Sequence, residues 1–248
     1  MSSLFNNFLF LPLFNLLIFF YDLVPDIGVA IILLTIFVRL ILYPLSQKAL
    51  KSQREMTLLQ PKIKEIQKNF KESKEEQSRA LLNLYREHRV NPFSGFLTIL
   101  IQIPVLFALL KVFRVGLDQS SLNFLYDFVK NPGQINPLFL GFIDLSQTRN
   151  IALAALAGVS QFWQSKMMLP KDQKTTSPGD LSNILNKQMV YVFPALIGFI
   201  SLSWPAAIAL YWTTFNLFAI LQQYLSLRFP YKEKHVNNQN LESKIQKN

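Results

Sequence analysis

The chain has 248 residues, half of them hydrophobic and 22 of them Phe, yet its formal net charge is +10. A soluble domain of this size has too little core for that apolar content, whereas a membrane protein with basic cytoplasmic segments combines the two readily. The lack of Cys excludes a disulfide framework, a thiolate metal site, a cysteine nucleophile and a lipid-modified cysteine.

The two histidines, His88 and His235, lie far apart in charged neighbourhoods and read as solvated surface. No phosphate-cradling glycine loop, dinucleotide fingerprint or nucleophile elbow occurs. The expectation is therefore a protein that is not an enzyme, with no cofactor, no metal and no direct nucleic-acid specificity.

Within a first segment of residues 1–26, residues 1–23 are strongly apolar, and no Lys or Arg precedes the run, which argues against a cleaved signal peptide. The stretch Phe8 to Tyr21 is interrupted by Pro12 and Asn15 and is short for a span. It reads as an amphipathic helix in the outer interface, with Phe and Leu buried and Asn6, Asn7 and Asn15 facing out. A further span is the alternative. Asp22, Pro25, Asp26 and Gly28 then make a turn.

Residues 27–45, IGVAIILLTIFVRLILYPL, have the ~20-residue length that crosses a bilayer. Arg39 sits inside this first span and cannot be deprotonated there. A charge near the centre of a spanning helix costs roughly 2.5–3.5 kcal/mol on insertion scales. Every Asp and Glu lies outside the apolar runs, so relief must come from water, neutral polar groups or headgroups, which argues for a wet cavity open to one side. Snorkelling is the other reading, since Leu45 lies only about 9 Å further along the axis. Thr35, one turn earlier on the same face, favours a polar stripe.

Residues 46–91 are highly charged and hold eleven Lys and Arg. Within them Met56, Leu59, Ile63, Ile66 and Phe70 repeat at alternating spacings of three and four, and Leu81, Leu84, Tyr85 and His88 continue beyond a polar break. The pattern predicts a cytoplasmic helical hairpin with facing seams, and Pro61 suits a first turn or a kink.

Residues 92–113 read as a second span with Gln102 and Pro104, and 114–149 as an external loop with turns at Asn131-Pro132-Gly133 and Asn136-Pro137. A third span, 150–169, carries Gln161 and Gln164 on one face. After a basic cytoplasmic loop (170–187) come a short fourth span (188–204) broken by Pro194 and a fifth (205–226) with Thr213, Thr214 and Asn216. A basic tail, 227–248, closes the chain. About twenty of the 25 Lys and Arg fall on one side of this arrangement and four on the other, predicting an all-α membrane protein of five spans, N-terminus out and C-terminus in.

Each neutral polar residue in the spans is, taken alone, more often a helix-helix hydrogen bond than a functional group. As a set around an unpaired arginine they can line a hydrated groove, and the short fourth and fifth spans would thin the bilayer there. Such a groove eases a polar polypeptide segment partway into the membrane without nucleotide hydrolysis. A small transporter or channel using Arg39 as an anion site is an alternative, but no internal repeat is present. A structural anchor, with Arg39 reaching only headgroups, is another.

The stretches IILLTIFVRLILYPLSQKALKSQREMTLLQPKIKEIQKNF (31–70), LYREHRVNPFSGFLTILIQIPVLFALLKVF (84–113), FWQSKM (162–167) and ALYWTTFNLFAILQQYL (209–225) closely resemble the YidC/Oxa/Alb membrane-insertase family. The most specific elements are Arg39 followed by Tyr43-Pro44-Leu45, Leu59-Gln60-Pro61-Lys62, and Asn91-Pro92 ahead of Ile101-Gln102-Ile103-Pro104.

The resemblance implies a five-span core with a positively charged groove open to cytoplasm and lipid, in a bacterial cell membrane. Arg39 matches the family's groove arginine and Thr35 a groove-lining threonine. Tyr211 and Trp212 match a substrate-contacting aromatic pair, with Trp where bacterial members commonly have Tyr. The hairpin is similar to the one that meets substrate, translocon or targeting factors, and the short, moderately basic tail to a ribosome-contacting one. The partners implied are nascent membrane proteins, the lipid bilayer, the ribosome and a Sec-type translocon. Without the large outer domain of Gram-negative members or the lipoprotein cysteine of many Gram-positive ones, the chain looks like a minimal member.

Overall fold

The computed structural model describes residues 3–88, 90–91, 103–113, 123–168 and 188–228, and these are mostly helical. Pro12 does not interrupt the first helix. A helical turn (Ser3–Phe5) leads into a wider π-type turn, Asn6–Phe10, in which the Leu11 N–H donates to the Asn6 carbonyl, and α1 (Leu11–Leu23) follows. The wider turn accommodates a proline ring that would crowd a strict α-helical carbonyl ladder. Asn6–Leu23 is thus one 18-residue helix, long and apolar enough to cross a membrane.

Asn15 faces inward, not outward, and is 3% exposed. Its amide donates to the Leu11 carbonyl at 2.9 Å and the Phe124 carbonyl at 3.0 Å, and its oxygen accepts from the Tyr126 N–H at 2.6 Å. The loop beyond Phe113 thereby gains a partner inside the bundle, while Phe8, Phe19 and Leu23 hold the outward face. The polar residue is buried because it is fully satisfied.

Asp26 starts α2 (Ile27–Ile41), its Oδ1 accepting from the Gly28 and Val29 N–H groups at 2.8 and 3.0 Å. At Leu42 the chain bends by 65° into α3 (Tyr43–Asn69), with Pro44 in the first turn, where its missing N–H costs nothing. The straight segment therefore ends at Ile41 rather than at Leu45. Pro61 lies inside α3, not at its start. Ser73 caps α4 (Lys74–Glu87), which returns against α3.

α5 (Ile103–Phe113) leads towards the loop that precedes α6. There β1 (Leu138–Phe139) and β2 (Ile143–Asp144) form a small antiparallel ribbon, a feature absent from the sequence reading. Leu140 and Gly141 turn it with φ of 53° and 79°. The second carboxylate oxygen of Asp26 accepts from the Leu140 N–H at 2.7 Å, so one side chain both caps α2 and ties down the ribbon. The Phe139 ring then lies directly on Gly28, where a Cβ would collide with it.

Asn150 caps α6 (Ile151–Met168). A second π-type turn, Gln188–Val192, precedes α7 (Phe193–Ser203) and absorbs Pro194 as the first absorbs Pro12. Trp204-Pro205 joins it to α8 (Ala206–Arg228). Gly158 of α6 and Gly198 of α7 let the two backbones meet, a Cβ on Gly158 falling 3.3 Å from the Pro194 carbonyl.

The main core gathers Phe14 and Ile18, Ile31 and Leu34, Leu109 and Val112, Ala157, and Ile208 from five helices. Outside it, Phe19, Phe37, Val159, Leu196, Phe199, Leu217 and Leu221 remain exposed. Apolar surface on both sides of the same helices is the pattern of a bundle facing lipid.

Gly28→Ala should displace Phe139 and the ribbon, lowering stability by about 1–3 kcal/mol, the usual cost of overpacking. Thermal unfolding in detergent micelles measures it. Asp26→Ala should cost about 0.5–2 kcal/mol by uncapping α2.

Candidate functional site

The break at Leu42 places Arg39 in the last turn of α2 instead of mid-helix, where the helix dipole favours a cation. Ile31, Thr35 and Arg39 share one face at four-residue spacing. Thr35 is 2% exposed and its hydroxyl donates to the Ile31 carbonyl at 2.7 Å, so it leaves Arg39 to other neighbours.

Those neighbours are aromatic. The guanidinium carbon lies 4.1 Å from the centre of the Phe215 ring and 5.2 Å from that of Phe218. Tyr211, one turn earlier on α8, touches Phe215, their ring centres 6.1 Å apart. Arg39 is 7% exposed, and its Nε is buried without a hydrogen-bond partner. Among the described residues, the ion pairs are Lys51–Glu55, Arg79–Glu75 and Lys130–Asp22, none of which involves it.

The rings of Phe215 and Phe218 thus cover part of the guanidinium, neighbours that the sequence alone did not assign to it. An orphaned buried N–H costs about 1–3 kcal/mol. A desolvated cation–π contact contributes about 2 kcal/mol or more, so the two rings are of the right size to offset it.

The neutral polar residues fall on another face of α8. Trp212 Nε1 donates to Gln161 Oε1 at 2.9 Å, and Gln161 Nε2 donates to Gln164 Oε1 and Ser165 Oγ, both at 3.2 Å. Gln164 Nε2 in turn points at the Met168 sulfur, 3.1 Å away. Asn216 is 1% exposed and donates to Ser160 Oγ at 3.1 Å. Thr213 and Thr214 donate to the Ala209 and Leu210 carbonyls of their own helix.

The structure thus brings Gln161, Gln164, Trp212 and Asn216 together as a hydrogen-bonded seam between α6 and α8. Arg39 sits with Tyr211, Phe215 and Phe218 instead. Gln102 lies outside the described residues, as do 170–187 and all of the tail beyond Arg228.

Sequence reasoning missed Phe215 and Phe218. The available signal was their spacing: Tyr211, Phe215 and Phe218 stand at i, i+4 and i+7, one aromatic face of the last helix. It also missed the polar ties at the hairpin end. Gln222 donates to Ser46 Oγ at 2.8 Å, Gln223 to the Met167 carbonyl at 2.7 Å, and Arg54 to the Ser226 carbonyl at 3.1 Å.

The hairpin of α3 and α4 has its own small core of Leu59, Ile63, Leu84 and Val90, with Met56, Ile66, Leu81 and Tyr85 packed on it. Phe70 is half-buried at the tip and Pro61 is exposed. Burial raises the Tyr85 hydroxyl above its ordinary pKa. Lys62 Nζ and His88 Nε2 approach to 3.3 Å across the open end.

An apolar-surfaced helix bundle, a buried cation without a carboxylate among the described residues, and a charged hairpin at one end define a helical membrane protein. Its particular kind follows from kinship. Residues 19–234 match the 60Kd inner membrane protein family, and the chain belongs to that family.

Membrane protein insertase YidC of Fusobacterium nucleatum is 35% identical over 205 residues, covering 83% of this chain and 88% of that protein. The namesake in Geobacter sulfurreducens is 31% identical over 217 residues, covering 86% of this chain and 36% of the relative. An active YidC insertase crystal structure with its first transmembrane domain resolved superposes with a TM-score of 0.61 at 30% identity, covering 92% of this chain and 47% of that one. The chain therefore spans 88% of one relative but only 36% and 47% of the other two.

Phe215→Leu should weaken the fold by about 0.5–2 kcal/mol, and the loss should disappear on an Arg39→Met background, as a double-mutant thermal unfolding cycle would show. Trp212→Phe, which strands the Gln161 oxygen, should cost about 0.6–2 kcal/mol in the same assay.

Proposed function

We propose that the protein is a membrane protein insertase and chaperone of the bacterial inner membrane, with five spans, its N-terminus outside and its C-terminus in the cytoplasm. Its substrates are nascent membrane proteins, which enter a groove open to cytoplasm and lipid. A short acidic or polar segment of the substrate is drawn towards Arg39 while its apolar span slides into lipid along α2, α6 and α8. The α3–α4 hairpin receives the incoming chain. The ribosome and a Sec-type translocon are its partners on the cytoplasmic side.

The observation that carries this reading is how Arg39 is held. Removing one partner of a buried ion pair costs about 3–5 kcal/mol, which would lock an arginine in place. Aromatic faces hold a cation for about 0.5–2 kcal/mol, so handing it to an incoming carboxylate is inexpensive. The long-charge, short-tether arrangement suits transient recognition of many substrates better than a tight anion site suits selective transport. No nucleotide enters the scheme, because partition into lipid supplies the driving force.

Arg39→Ala should lower insertion of single-span substrates with acidic outer tails about tenfold, the value of one charge-assisted hydrogen bond. Proteoliposomes with the reconstituted full chain provide the assay, and neutral-tailed substrates serve as the control. Undiminished insertion of acidic-tailed substrates by a folded variant would count against the mechanism. Solute counterflow dependent on Arg39, without insertion, would support the transporter reading.

A further inference from the structure

At the end of the bundle opposite the hairpin, the start of α6 and the end of α7 border an open cavity of about 600 Å³ lined by Thr148, Arg149, Ile151, Phe199, Leu202 and Ser203. Its lining is divided by chemistry. Thr148, Arg149 and Ser203 are exposed polar groups on one side. Ile151 and Phe199, 76% and 68% exposed, continue the other side onto the apolar outer surface of the bundle.

Arg149 itself is unusual. Its φ of 63° lies in the left-handed region that disfavours L side chains, and its N–H is fastened to the Leu202 carbonyl at 3.0 Å. The backbone of the cavity wall thus fixes the point from which the Arg149 side chain leaves the main chain. Among the described residues no carboxylate pairs with it. Asp144, five residues earlier, has its oxygens accepting from Ser146 and Gln147, bonds that hold its pKa below the ordinary value.

We propose that this cavity is a phospholipid site, seating the anionic headgroup of a lipid from the leaflet opposite the hairpin. The phosphodiester bonds to the planar fork of Arg149, with Thr148 and Ser203 as further donors, and the acyl chains run down over Ile151 and Phe199. An amphiphile with a negative head is the occupant that satisfies both halves of the lining. A soluble anion leaves the apolar wall bare, and a lipid without a phosphate, such as a diacylglycerol, leaves the cation unpaired.

Native mass spectrometry of the full chain, released from detergent with dioleoyl phosphatidylglycerol, dioleoylglycerol or glycerol 3-phosphate, tests the site. The wild type should retain phosphatidylglycerol in preference to the other two. R149Q should weaken that retention about tenfold, the worth of one charge-assisted hydrogen bond, and abolish the preference. S203W should do the same by filling the cavity with the charge left in place. Circular dichroism establishes that both variants fold. Wild-type retention by either folded variant overturns the proposal. So does equal retention of dioleoylglycerol, or of glycerol 3-phosphate without its acyl chains.

Discussion

A permanent positive charge held by ring faces, with no carboxylate beside it among the described residues, is the constraint around which this bundle is arranged. Arg39 is almost wholly covered, yet Phe215 and Phe218 supply only quadrupoles against its charge. That arrangement needs α8 to present an aromatic stripe towards α2 and to keep it there. The rest of α8 is accordingly committed to staying fixed. Trp212 and Asn216 bond to Gln161 and Ser160 of α6, and Gln223 bonds to the Met167 carbonyl. In a lipid environment such bonds, small residues and close packing hold helices together where the hydrophobic effect does not.

The same economy separates a rigid part from a detachable one. At the end away from the hairpin, Asn15, Asp26 and the Leu145–Arg149 segment, whose carbonyls and N–H groups pair with Leu202, Ala206 and Ala207, fasten loops and helices to one another. At the other end the α3–α4 hairpin has a core of its own, distinct from that of the bundle. Side-chain ties such as Ser46 to Gln222 and Arg54 to the Ser226 carbonyl join the two. An element with a few buried residues and exposed polar anchors belongs to the low-stability end of a fold, which is compatible with the role proposed for it.

Much of this was legible in the residues. Composition gave the membrane class, and the specific stretches around Arg39, Pro61 and Asn91 pointed to the family. Heptad spacing located two helices whose apolar seams meet. What remained hidden depended on the third dimension. Pro12 and Pro194 look like helix breaks in one dimension, but a π-type turn before each keeps its helix continuous. Asn15 looks like a solvent-facing residue until a loop more than a hundred positions away supplies its partners. The polar residues of the spans read as one lining because periodicity cannot say which neighbour each face of a helix meets. On α8 four residues are enough to separate an aromatic face from a hydrogen-bonding one.

Phenylalanine is also the informative choice at positions 215 and 218. A carboxylate binds a guanidinium edge-on, through the N–H fork, whereas a ring binds its face. Had either position been Glu, the edge would be consumed and the charge neutralised within the protein. Had it been Tyr, a hydroxyl would compete for the same donors or for an incoming acid. Phe does neither: it stabilises the cation through the plane and contributes no donor or acceptor of its own. The ring also excludes water from the face, which strengthens any bond made at the edge by lowering the local dielectric. An arginine supported in this way keeps its recognition chemistry unspent, and that property, more than the presence of a charge, separates a site for transient polypeptide contacts from a structural ion pair.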